Sequence, residues 1–191
     1  MAKTSIFRNF FKLIFSLVGV ALAVIAVGFF FGPFVVAQSA EILGASASIT
    51  ITGFSLAFGG EMTFTANLLG NSNSSTLPYE DSCIGTQVGF YFLLAGALFA
   101  VIYLIFCWGK KGVSIKKAIG SLSALCLLVA GILFFATVPL AGLQDSTIKV
   151  AGKPYTLATS NLGYGAILSG IGSLLGFLAM LIASFLGPKE A

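Results

Sequence analysis

The sequence predicts a membrane all-α bundle of four transmembrane helices carrying a small antiparallel β-sheet domain on its outer side. Three observations carry this reading. Of 191 residues, 58% are hydrophobic and only 8% charged, whereas soluble domains average about 25% charged residues. Four stretches lack Asp, Glu, Lys, Arg and His altogether: Leu13–Phe31, Val88–Trp108, Ala118–Leu140 and Tyr164–Leu186, of 19, 21, 23 and 23 residues. About 20 helical residues at 1.5 Å each cross a hydrocarbon core roughly 30 Å thick, so all four are long enough to span. The segments 32–87 and 141–163 between them alternate in the manner of β-strands. The same composition excludes a disordered chain and a nucleic-acid partner held by a large basic patch.

The first span carries the first orientation signal. Lys3, Arg8 and Lys12 precede it, Lys110, Lys111, Lys116 and Lys117 crowd the link 109–117, and Lys189 follows the last span. Eight of the ten basic residues thus share one side, where Glu190 is the lone acid. The two long loops hold Lys149 and Lys153 against Glu41, Glu61, Glu80, Asp81 and Asp145. Basic residues beside span ends stay cytoplasmic. The expectation is a multi-pass protein of the plasma (cytoplasmic) membrane with both termini inside, in which Lys110, Lys111, Lys116 and Lys117 set topology rather than form a nucleic-acid or calmodulin site. A competing parse takes the first apolar run as a signal peptide cleaved after Ser39, within Ala37-Gln-Ser-Ala40. That run exceeds the roughly 7–15 residues of a signal h-region and continues through Phe34, Val35 and Val36, so an uncleaved first helix is expected.

Segment 32–87 has 56 residues, too many for a simple connector. Ile49 and Ile51 alternate with Ser48, Thr50 and Thr52, and after Gly53 the apolar parity switches to Phe54, Leu56 and Phe58, which suggests a β-bulge at the glycine. Gly59-Gly60-Glu61 then precedes Met62, Phe64 and Ala66. A three-residue turn at 59–61 would pair Phe58 with Met62, Leu56 with Phe64 and Phe54 with Ala66, giving one wholly apolar face; burial of such a face is what pins register. The residues Phe54, Leu56, Phe58, Met62 and Phe64 are therefore the candidate interaction face. The polar run Leu69–Thr76 reads as a loop tip, and its Asn73-Ser74-Ser75 matches a glycan acceptor for a chain on a eukaryotic secretory route. In segment 141–163, Thr147–Val150 and Tyr155–Leu157 read as a second hairpin with Pro154 in the turn, pairing Val150 with Tyr155 and Ile148 with Leu157, and this hairpin is a candidate partner for the first.

This layout resembles the claudin-like four-span membrane proteins, the group shared by claudins and peripheral myelin proteins. The resemblance covers nearly the whole chain as architecture: cytoplasmic termini, a long first outer loop folded as a sheet and a shorter second one. That group's first-loop signature combines tryptophans with a Gly-Leu-Trp stretch and two cysteines. Segment 32–87 has no Trp and only Cys83, so the resemblance implies the fold and carries over neither paracellular pore formation nor junctional adhesion.

Catalytic chemistry has little to work with. There is no His anywhere, which removes the commonest general base and metal ligand at neutral pH. Glu80-Asp81, the one adjacent acidic pair, lacks a calcium-loop pattern. Cys83, Cys107 and Cys126 are dispersed, without metal spacing, and Cys83 is the odd outer thiol that could bridge two chains. No cofactor, no metal and no enzymatic activity are expected. Small residues recur at four-residue spacing as Gly19/Ala23, Gly96/Ala100 and Gly120/Ala124, and most densely as Gly165, Ser169, Gly172 and Gly176 in the last span, where they permit close helix approach. Phe7, Phe10, Phe11, Phe29, Phe30 and Phe31 read as lipid-facing or gap-filling, and Tyr91, Tyr103, Trp108 and Tyr164 as interfacial anchors.

The functional expectation is a non-enzymatic scaffold, adhesion or accessory protein. Besides membrane lipid, its outer β domain would engage another membrane or envelope protein, or a second copy in a homo-oligomer. The alternative is a pore or small-molecule exporter built by an oligomer.

Overall fold

A computed structural model describes residues 2–38, 45–68, 71–107, 113–142, 147–150, 153–156 and 159–186. Four long helices dominate it: α1 (Ala2–Phe30), α3 (Ile84–Phe106), α4 (Val113–Phe135) and α6 (Tyr164–Phe185). Each contains a segment long and apolar enough to cross a membrane, as in a multi-pass membrane protein. They pack as a ring in which α6 touches α1 and α4, and α3 touches α4 and α1.

The last helix lies where its uncharged run lies, but the other three begin earlier than the uncharged runs do. Lys12 and Lys116 sit inside α1 and α4 rather than before them. The uncharged run Ala118–Leu140 is not one helix. α4 stops at Phe135, and Thr137–Leu140 forms a separate turn, α5. Pro139 explains the break, because its ring clashes with the carbonyl of residue 135 and it has no N–H to continue the ladder.

At one end of the bundle lies a five-stranded antiparallel sheet of order β4-β3-β2-β1-β7, built from β1 (Pro33–Gln38), β2 (Ala45–Thr52), β3 (Gly60–Leu68), β4 (Asn71–Tyr79) and β7 (Thr159–Leu162). The expected pairing of 54–58 with 62–66 does not occur. Residues Gly53–Phe58 form a short helix, α2, and β3 pairs with β2 instead: Ile51 faces Met62, Ile49 faces Phe64 and Ala47 faces Ala66. Helix signals at both ends decide this. The Ser55 N–H donates to the Thr52 hydroxyl oxygen at 3.1 Å, capping the first turn, and Gly59 leaves the helix at a φ of 77°. The spacing of Phe54 and Phe58 suits adjacent helical turns as well as it suits a strand face. The bulge lies across from the expected glycine: Pro33 pairs with Thr52 and Val35 with Ile51, leaving Phe34 as the extra residue.

The polar run expected as a loop tip is largely strand β4, paired with β3 from Gly60↔Tyr79 to Leu68↔Asn71. Its own sequence carries no alternation, so backbone pairing to β3 makes it a strand. Segment 141–163 contributes β7 to the main sheet beside β1, while β5 (Thr147–Val150) and β6 (Lys153–Thr156) form a separate hairpin. Its register is Ile148↔Tyr155 and Val150↔Lys153, so Pro154 lies in the ladder opposite Lys149 rather than in the turn. Residue 157 lies outside the described residues.

One row of the sheet is apolar from edge to edge, Leu162, Val35, Ile51, Met62 and Leu77, and the next on the same face sets Ala37, Ile49 and Phe64 between Ser160 and Ser75. Aromatic rings join this face to the helices. Phe34, turned inward at the bulge, meets Phe30 at 5.1 Å and Phe134 at 5.3 Å between ring centroids, and Phe30 stacks on Phe90 at 4.3 Å. Phe30 is thus part of the core rather than lipid-facing, whereas Phe7, Phe10 and Phe31 are exposed. Gly53 leaves no room for a side chain, because a Cβ there would land on the Phe30 carbonyl oxygen and 2.7 Å from the Phe34 ring. Gly53→Ala is expected to destabilise the fold by about 1–3 kcal/mol through overpacking. Gly28→Ala, where a Cβ meets nothing within 4 Å, should be neutral or stabilising by up to ~1 kcal/mol. Unfolding both variants in one detergent compares them, and equal midpoints would contradict the packing described.

Candidate functional site

The residues singled out in the sequence divide into three places: the sheet, the α6 seam and the basic end of the bundle. Within the sheet and α2, Leu56 and Met62 are fully buried and Phe58 and Phe64 half-buried, while Phe54 is 45% exposed. Leu56 and Met62 thus hold the sheet to the helices and present no surface. Phe54 continues outward as an aromatic rim, with Phe31 at 5.8 Å and Phe58 at 5.2 Å, and Phe58 meets Tyr91 at 6.0 Å. Such a band at the junction of the long helices and the sheet suits a membrane–water interface.

The surface available for contact is the opposite sheet face. Cross-strand register aligns Thr50, Thr63 and Thr76 in one row, Ser48, Thr65 and Ser74 in the next, and Ser46, Asn67 and Ser72 in a third. Thr63, Thr76, Ser74 and Ser72 are exposed. Across all five strands Glu61 is the only charged residue. The edge strand β4 has no charge, and its Pro78 pairs with Glu61 of β3. The β4 edge carries neither a charge nor a bulge, but Pro78 interrupts it and β5 passes close to it. Alternation marks the apolar face of β2 and β3, but the hydroxyl face emerges only once the register with β4 is known.

The α6 residues lie where small side chains were expected to help. A Cβ on Gly165 would sit 2.8 Å from the Phe29 carbonyl oxygen, and one on Gly172 would sit 3.2 Å from the Ala26 Cβ. The Ser169 hydroxyl donates to the Ala26 carbonyl at 2.9 Å. Gly176 lies against Leu127 and the Gly19 backbone. All four are buried between α6 and its neighbours, and the outward positions of α6 carry Ile167, Leu168, Ile171, Leu175, Leu178 and Ile182. The small residues therefore serve packing within this chain.

At the basic end, Lys110 and Lys111 lie outside the described residues, as does Trp108. Lys117 is exposed, but Lys116 is buried, and so is Lys12. A period was available to find both lysines. Lys12, Ser16, Gly19, Ala23, Ala26 and Phe30 are the buried positions of α1, and Lys116, Gly120, Ser123, Leu127, Ala130 and Phe134 the matching stripe of α4, each at alternating steps of four and three. Tyr103, expected as an interfacial anchor, is instead buried, and its hydroxyl donates to the Ala183 carbonyl at 2.7 Å. The Ser123 hydroxyl donates across to the Gly96 carbonyl at 2.8 Å, tying α4 to α3.

Cys83 and Cys126 are buried, Cys107 is half-buried, and all three are free thiols. Among the described residues no group of three His, Cys, Asp or Glu side chains is close enough to hold a metal ion. No protein-family model matches the chain, and no curated protein matches its sequence.

Tyr79 ends β4 beside the acidic pair Glu80-Asp81. Burial, with Asp81 and Cys83 adding to it, pushes its phenol up from 10.0 to about 12. A raised acid favours the folded state while protonated, so this contribution is complete below pH 10 and is lost as pH rises from 10 to about 12. The Tyr79 phenol should therefore stay protonated above its ordinary value of 10.0 in the folded protein. Ultraviolet phenolate titration of the wild type and Tyr79→Phe checks this, and identical curves would count against it.

Proposed function

We propose that the chain is a non-enzymatic membrane protein whose outer sheet recognises another membrane or envelope protein, or a second copy of itself. The observation that carries this is the hydroxyl-covered sheet face, on which Glu61 is the only charge, bounded by the uncharged β4 edge and tied to the helices through Phe34 and Gly53. An extended partner segment can add to such an edge through main-chain hydrogen bonds while side chains read the neighbouring face. The mid-span segments carry no Asp, Glu, Lys, Arg or His, unlike the spans of ion-coupled transporters. Eight of the ten basic residues lie, by sequence, in or beside the terminal segments and the link 109–117, which supports cytoplasmic termini and an outward-facing sheet in the plasma membrane. The claudin-like reading of this layout belongs to the same proposal, and it extends to architecture alone. A pore built by oligomers has less support, because the outward face of α6 is lined by large apolar side chains suited to lipid.

A photo-crosslinking residue placed at Thr63 or Ser74 in native membranes is expected to yield a discrete adduct with one protein. The same probe at lipid-facing Ile132 should yield none. A monomer without adducts at any sheet position would overturn the proposal.

A further inference from the structure

We propose that ordered water is bound in the joint around α5, where it links the hydroxyl of Thr86 on α3 to that of Thr137 on α5. Among the described residues, two buried side-chain hydroxyls have no hydrogen-bond partner, Thr86 Oγ1 and Ser160 Oγ. Thr86 lies in the first turn of α3 and is fully buried, and Ser160 lies on β7. Both elements touch α5, the short turn that follows the break in α4. The hydroxyls of Thr63 and Ser74, by contrast, belong to exposed residues and can bond to solvent.

The register between α3 and α4 places Thr86 against Thr137. A Cβ on Gly89 of α3 would meet the Phe134 ring at 2.9 Å, one on Gly96 would meet Leu127 at 2.9 Å, and one on Gly120 of α4 would meet the Tyr103 ring at 2.9 Å. Each step of seven along α3 is thus matched by a step of seven back along α4. Almost one turn beyond the Gly89–Phe134 pair, the same alignment sets Thr86 opposite Thr137. Here α3 and α5 are close, since a Cβ on Gly85 would meet Leu140 at 2.8 Å. Thr137 is also fully buried, and its hydroxyl donates back to the Leu133 carbonyl at 3.2 Å. Its oxygen lone pairs remain to accept. The two threonines stand opposite one another without bonding directly, and Thr86 keeps both its proton and its lone pairs unused.

The joint suits a small neutral ligand that both donates and accepts. An unpaired buried hydroxyl is costly in apolar surroundings, and water bridges polar groups that do not bond directly. Breaks in membrane helices use Thr side chains and ordered water to satisfy polar groups, and Pro139, with no N–H to donate, makes such a break here. A buried cation would need an opposite charge beside it. Glu61, Glu80 and Asp81 are instead exposed, and the residues packed around the joint include Leu133, Phe134 and Leu140. Ser160 makes the same demand from the sheet. It pairs with Ala37 in the row of Ile49 and Phe64, on the face turned toward the helices. Because α5 touches α3, α4 and β7, water held there couples the bundle to the sheet.

The test uses the full chain in lipid nanodiscs. Pulsed X-ray radiolysis converts bound water to hydroxyl radical in place, and mass spectrometry locates the oxidised side chains. The fully buried Phe134 should be labelled in the wild type, and the equally buried Met180 of α6 should not. Thr86→Val should abolish the Phe134 label and lower the melting temperature by about 2–4 °C. Thr86→Val combined with Thr137→Val should melt no lower than Thr137→Val alone, because the two hydroxyls share one water. Replacing sodium with choline should change neither reading. The wild-type labelling needs no variant to fold. A wild type without the Phe134 label, a label that survives Thr86→Val, or a Thr86→Val midpoint at or above the wild type would overturn the proposal. So would additive losses in the double variant, or melting that depends on sodium.

Discussion

Close backbone contact around residues 29–34 is the constraint on which the rest of the structure depends. There α1 ends and β1 begins with only two residues between them, so the chain passes from span to sheet without a flexible linker. Three glycines press against this corner. The Gly53 N–H donates to the Gly32 carbonyl at 3.2 Å and the Gly163 N–H to the Phe34 carbonyl at 2.8 Å. A Cβ on Gly165 would lie 2.7 Å from the Pro33 oxygen. One corner therefore sets the start of α2, the start of α6 and the lie of β1. Side chains at these positions would separate the strands from the helices.

The aromatic cluster follows from that corner. With the backbones in contact, Phe34 turns inward at the bulge and meets Phe30 and Phe134, while Phe58 meets Phe90 at 5.7 Å. Helix, sheet and α2 thus share one core. Membrane helices gain no hydrophobic drive from packing against each other in lipid, so close contact between small residues and hydrogen bonds must supply it. The Ser169–Ala26 and Ser123–Gly96 bonds across helix pairs are part of that supply.

The four helices and an antiparallel sheet between them were legible in the sequence, because uncharged runs and period-two alternation report burial directly. What was not legible depended on contacts distant in sequence. Phe54, Leu56 and Phe58 fit a strand face, and the Thr52 cap and Gly59 exit were the local evidence for a helix. Strand β4 has no internal period, so only its partner β3 reveals it. Lys12 and Lys116 look like topology signals when charges are counted along the chain, but the four-and-three stripe of buried residues continues through both. The hydroxyl face of the sheet depended on register, which alternation constrains only up to the choice of partner strand.

The two ends of the molecule thus have different chemistry, a hydroxyl face with Glu61 as its only charge at one and buried lysines at the other, linked by helices apolar enough to face lipid. Presentation of the sheet as a fixed surface requires that it share the stability of the bundle. Amide hydrogen exchange in lipid nanodiscs measures this directly, since cooperative units open with a common free energy. The account predicts that β1, β2 and the first turns of α6 exchange with the same opening free energy as the buried turns of α1 and α4. A sheet that opens at much lower free energy than the helices would contradict it.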